Sequence, residues 1–115
     1  MPTSTWSICA NSSNEDSAMK VLNNCIKAIS RAPSDFSLEK YPKGGFMARF
    51  KLYHSDDNSW PINIEEILIL AQRLGIGWRI FGSVEEDVSL TLSDEASGRF
   101  KLSGINFAEI ILIKD

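Results

Sequence analysis

Apolar and polar positions alternate along most of this chain, and twice the alternation gives way to helical spacing. Trp6, Ile8 and Ala10 share one face of an extended segment at a period of two. A polar break over residues 11–14 supplies several candidate helix caps. Ala18, Val21, Leu22, Cys25, Ile26 and Ile29 then recur at helical spacing. They predict a helix over about residues 15–30, stopped before Pro33, with Lys20, Asn23, Asn24 and Lys27 on its wet face. Phe36 and Leu38 alternate weakly in the next segment. Pro42-Lys43-Gly44-Gly45 is a turn signal, and after it Phe46, Ala48, Phe50 and Leu52 alternate with Met47, Arg49, Lys51 and Tyr53. The two runs predict a hairpin.

The second helical stretch carries the clearest local signals, from Pro61 to Gly75. Asn63 is placed to cap it, Glu66 to complete a capping box, and Ile62 and Ile67 to staple its entry. Glu65 and Glu66 suit the positive end of the helix dipole, and Arg73 the negative end. Gly75 is expected to close the helix in the left-handed conformation. An aromatic and β-branched strand follows over 78–84, then a half-buried one with Val88, Leu90 and Leu92 in phase. A turn over 94–98 leads to a short strand over 99–102, with Phe100 and Leu102 alike. The last strand runs over 107–113, and its Ile110-Ile111-Leu112-Ile113, apolar on both faces, predicts a central position.

The element order is therefore β-α-β-β-α-β followed by further strands. Short connections predict a mostly antiparallel sheet of five to seven strands, and two amphipathic helices must cover one face of it. The fold class is α+β, a single domain over 1–115. Its order resembles an elaborated ferredoxin-like plan with extra C-terminal strands. The uncovered face, with Thr, Ser, Arg and Lys between its apolar positions, is expected to stay wet.

A chain of 115 residues can bury a core without disulfides or metals. Cys9 and Cys25 read as two reduced core thiols. No apolar run is long enough to span a bilayer and the N-terminus has no leader pattern, so the expected compartment is the cytoplasm. The net charge of −3 argues against nucleic acid as a direct partner, because phosphate binding needs a basic surface.

Chemistry-bearing motifs are scarce. His54 is the only histidine and stands at a predicted strand end. It reads as a solvated residue there; a base oriented by Asp56 or Asp57 is the alternative. Cys9, Cys25 and His54 match no zinc spacing, and Gly75-x-Gly77 lacks the strand before it and helix after it that a dinucleotide loop needs. Neither an enzyme activity nor a cofactor is expected. Aromatics and carboxylates on loops are more informative: Asp56, Asp57 and Trp60 before the second helix, Phe81 out of phase with Trp78 and Ile80, then Glu85, Glu86 and Asp87, and Asp94 with Glu95. Rings anchor a protein partner and carboxylates steer a basic one. The plainer reading is that Trp60 seals the helix entry, that Phe81 packs on a buried strand, and that the charges are solvated.

The combination of Trp78-Arg79-Ile80-Phe81-Gly82, the acidic Glu85-Glu86-Asp87 after it and the closing Gly104-Ile105-Asn106-Phe107-Ala108-Glu109-Ile110, in a small acidic α+β chain, resembles the immunity proteins of bacterial toxin systems, including contact-dependent inhibition. The resemblance implies binding and neutralisation of one cognate toxin domain, often a nuclease, by a protein that is a monomer alone or a weak homodimer. A second expectation is a ferredoxin-like regulatory or small-ligand-binding domain that self-associates through its sheet.

Overall fold

The first alternating segment becomes the spine of the sheet. In the computed structural model, which describes residues 2–83, 87–93 and 102–114, β1 (Thr3–Ala10) lies between β3 (Phe46–Tyr53) and β6 (Ile105–Ile113). Trp6 faces Phe50 on one side and Ile110 on the other. With β2 (Ser34–Lys40), β4 (Arg79–Ser83) and β5 (Asp87–Ser93), the order across the sheet is β2-β3-β1-β6-β5-β4, and every neighbouring pair is antiparallel. The four strands β2-β3-β1-β6, joined through α1 (Glu15–Ile29) and α2 (Trp60–Gln72), trace the ferredoxin-like plan. The additional strands form a hairpin, β4-β5, made before the closing strand and laid outside it. The double-sided apolar run of β6 does sit centrally, between β1 and β5.

Period-two alternation now has a physical meaning. Trp6, Ile8, Ala48, Phe50, Leu52, Val88, Leu90, Leu92, Ala108, Ile110 and Leu112 are buried on the helix side. Leu22, Cys25 and Ile29 of α1 and Ile67, Leu70 and Ala71 of α2 close over them in one core. Trp6 stacks on Phe50 at 5.9 Å between ring centroids, and Phe36 extends the stack at 6.4 Å. The opposite face is corrugated. Small residues line β1 (Thr3, Thr5, Ser7) and β5 (Ser89, Thr91), between strands that carry Arg49, Lys51 and Tyr53, or Phe107, Glu109, Ile111 and Ile113.

The helix ends follow the sequence unevenly. Asn14 caps α1, accepting from the Ser17 amide at 2.8 Å. Ser30 ends it in the left-handed conformation, its amide bonded to the Ile26 carbonyl at 2.9 Å. The second helix starts earlier than its capping box implies: Ser59 is the cap residue, Pro61 occupies the first turn, and Asn63 is already a buried helical residue. The Asn63 side chain instead accepts from the Asn58 amide group at 3.2 Å. Proline needs no amide partner and has the right φ, so the helix begins with it rather than after it. Gly75 does not take the left-handed conformation either; the first glycine after α2 with a positive φ is Gly77, at 92°. The end of α2 is closed by the Trp78 indole, which donates to the Ala71 carbonyl at 3.0 Å and the Gly75 carbonyl at 2.9 Å. Of the expected strand over 99–102, residues 99–101 lie outside the described residues. Leu102 is not in a strand; its amide donates to the Leu74 carbonyl at 2.8 Å.

Candidate functional site

The antiparallel register decides which loops meet. Tyr53 faces Thr3, Thr3 faces Ile113, and Ile113 faces Asp87. The end of β3, the start of β1, the end of β6 and the start of β5 therefore form one end of the sheet. The polar loop 55–59 continues directly from the β3 end and brings Asp56 and Asp57, both exposed. Its turn is held by the Ser55 side chain, which accepts from the Asp57 amide at 3.1 Å, and by the Asn58 amide bonded to the Ser55 carbonyl at 3.2 Å.

At this end Trp60 is half-buried, packs against the core as the first residue of α2, and carries the Lys114 ammonium 5.0 Å from its ring centroid. Tyr53 and Ile113, at the same end of the sheet but out of phase with the helix-side Leu52 and Leu112, are exposed at 44% and 51%. Asp87 is exposed on the same row. Phe81, exposed at 51%, stands further along the wet face on the outermost strand, opposite Ser89. Glu85, Glu86, Asp94 and Glu95 lie outside the described residues. The strand β5 runs from Asp87 to Ser93, which faces Phe107 at the other end of the sheet. Among the described candidates, then, the fold brings together Asp56, Asp57, Trp60 and Asp87, and sets Phe81 to one side.

His54 corrects the expectation of a solvated strand-end residue: it is only 2% exposed. Its partners are also not Asp56 or Asp57. His54 Nε2 lies 2.7 Å from the Ser4 hydroxyl, which accepts from the Trp6 indole N–H at 2.8 Å. His54 Nδ1 lies 3.2 Å from Glu66 Oε1, off the line that a hydrogen bond needs. The same Glu66 oxygen takes the Arg31 guanidinium, whose other nitrogen donates to the Tyr53 carbonyl at 2.7 Å. Glu66, predicted as half of a capping box, therefore works from the second turn of α2, linking α2 to the segment after α1. Burial holds His54 below the ordinary imidazole value. The Glu66 carboxylate pulls it up, and the Arg31 charge pushes it down. The neutral ring with its proton on Nδ1, on the carboxylate side, leaves Nε2 to accept from the Ser4 hydroxyl, whose oxygen accepts from Trp6.

Serine, histidine and glutamate in line have the order of a hydrolytic triad, but a nucleophile must meet its substrate. Ser4 is fully buried, and its oxygen is held by both Trp6 and His54. The arrangement joins β1, the β3 end and α2 across the core edge. Sequence reasoning passed over Ser4 and Arg31, although Ser4 is in phase with Trp6 and Ile8, a polar residue on a face that must be buried.

Both cysteines are buried free thiols. Burial pushes Cys25 up to about 12. Cys9 lies on the opposite face from the helices, and burial raises it too, against the lowering charge of Arg49. It borders a hollow of about 340 Å³ with Tyr41, Lys43, Gly44, Asn106 and Phe107. Among the described residues no three His, Cys, Asp or Glu side chains gather as a metal set, and no helix is long and apolar enough to cross a membrane. Compared with protein-family models, curated proteins and solved structures, the chain matches none of them.

Proposed function

We propose that this chain is an immunity protein that binds a cognate bacterial toxin domain, in the nuclease class, and covers its active or substrate-binding surface. The observation that carries the reading is the register Tyr53–Thr3–Ile113–Asp87, which puts Asp87 at the same end of the sheet as Asp56, Asp57 and Trp60. Asp56, Asp57 and Asp87 are exposed at this end of the sheet, with Tyr53 and Ile113 exposed on the same row as Asp87. It therefore offers both apolar groups to anchor a partner and negative charge to steer one. A nuclease keeps a basic groove for its phosphate backbone. Carboxylates laid over that groove speed encounter and bar the nucleic acid. The burial of Ser4 and His54 supports binding rather than turnover, because the nucleophile and base positions of that array offer no substrate an approach.

The test starts from the reading frame next to the one that encodes this chain. The C-terminal domain of a large secreted protein encoded there is purified, and its affinity for this chain is measured by calorimetry. Tight binding and loss of the toxin's activity are expected. Replacing Asp56, Asp57, Asp87 and Tyr53 together by alanine is expected to weaken binding by at least about a hundredfold, mostly through faster dissociation and a smaller salt dependence of association. Unchanged affinity in that variant would remove the sheet end as the contact surface.

A further inference from the structure

The two edges of the sheet are built differently. The β2 edge is blunted: its register shifts between Ser34 and Ser37, Asp35 takes a left-handed φ of 53°, and exposed Glu39 and Lys40 follow. These are devices by which sheets discourage a further strand. The β4 edge is short, at five residues, and Gly82 takes a φ of 88°, but it contains no proline, keeps its register with β5 throughout and carries one charge, Arg79. Ile80 and Phe81 stand exposed at 55% and 51% on its two opposite faces. Among the described residues no strand pairs with its outer side. On the helix face the edge borders a hollow of about 180 Å³ lined by Leu68, Ala71, Gln72, Ile76, Trp78 and Ile80. Apolar groups above and below a free backbone ladder are what an added strand completes.

We propose that the added strand is β4 of a second copy, paired antiparallel about a twofold axis through Phe81, so that two sheets join into one. Side-chain alternation restricts an isologous pairing to axes that pass through a residue, and the axis at Phe81 pairs all five residues of the strand. Phe81 then faces its own copy. Ile80 lies over Gly82 of the partner subunit, where no side chain stands in its way.

Charge matches as well. Arg79 and Asp87 project from the same face at opposite ends of the β4-β5 pair, since Arg79 faces Thr91 and Ser83 faces Asp87. The twofold sets each Arg79 opposite the other copy's residue 83, with Asp87 one strand beyond it. Spacings of about 4.8 Å between strands put guanidinium and carboxylate within joint reach. A seam of five-residue strands is small beside the roughly 1,200–2,000 Å² of specific interfaces, so the dimer is a weak one. Asp56, Asp57 and Trp60 lie several strands away from this seam, while Asp87 belongs to both surfaces. Arg79 and Phe81 lie outside the sheet end, so their variants test the pairing separately from toxin binding.

Sedimentation of the purified chain alone, from about 1 to about 200 µM, is expected to show a concentration-dependent dimer. Arg79→Asp and Asp87→Arg are each expected to weaken it at least about tenfold by placing like charges across the seam, and the double exchange to restore it. A cysteine at the axis supplies a second readout. Directly opposed residues lie about 4.5 to 5.5 Å apart between α-carbons, within disulfide range, so Phe81→Cys is expected to cross-link two chains under mild oxidation while Arg79→Cys does not. A chain that stays monomeric throughout overturns the proposal, whether or not another protein's strand is later found on β4. So does a dimer that neither responds to the charge exchange nor cross-links at position 81.

Discussion

Ser4 shows how much one small side chain can hold. Its hydroxyl accepts from Trp6 and meets His54, so Ser4→Ala leaves an indole N–H and an imidazole nitrogen without partners inside the core. The expected cost is about 2 to 3 kcal/mol, read from the urea midpoint at unchanged slope. His54 adds a pH dependence of definite sign. The unfolded chain takes up this proton near 6.5, the folded chain only at lower pH. Between the two values the unfolded state holds more protons, so stability is complete above 6.5 and declines as acid carries the ring through its folded value. Urea midpoints measured from about pH 8 to about pH 5 are expected to be level at first and then fall; in His54→Gln the decline between about pH 6.5 and 5 is expected to flatten. An identical slope in the variant would assign the proton to another group. From the sequence, His54 looked like a solvated strand end because nothing local marks a residue whose partners come from positions 4, 66 and 31. Periodicity reports which face a side chain takes, and not what crosses to meet it.

At the scale of elements, most strands, the helix bodies and the ends of α1 were legible, and the ends of α2 were not. Alternation over 46–53 and the three-four spacing over 18–29 survive intact, because burial on one face imposes them. The start of α2 moved because two competent signals overlap: Asn63 with Glu66 as a capping box, and Pro61 in the first turn. The proline prevailed, and tertiary contacts took both polar side chains for other duties. Its other end is closed by Trp78, a residue whose reach back to Ala71 no sequence rule announces. Trp78→Phe keeps the ring and removes the donor. It is expected to cost about 1 kcal/mol and to hasten hydrogen exchange in the last turn of α2 more than elsewhere. Gly45 is a sharper case: at φ 78° an added Cβ would meet the Ala10 carbonyl at 2.3 Å. Gly45→Ala is expected to destabilise by more than about 2 kcal/mol, loosening the β2-β3 turn where it touches β1.

For the whole molecule, the sheet plan came from element order and short connections, while the grouping of loops came only from register. Asp56 and Asp87 are 31 positions apart in the chain and share one end of the sheet because β1 and β6 run side by side between their strands. Cys25 offers a global probe. Wholly buried and with its thiol pushed up to about 12, it should resist thiol reagents in the folded state, and its labelling rate should follow the opening of the entire core. Labelling much faster than global unfolding would reveal a local opening of α1.

The central place of β6 bears on how the chain is made. On the ribosome the β2-β3-β1 half emerges early, and the β4-β5 hairpin follows with nothing to join. Both must wait for the segment that knits them, β6, which leaves the exit tunnel after them. Folding is thus bound to occur late and nearly all at once, with a premium on chaperone cover until translation passes Ile113.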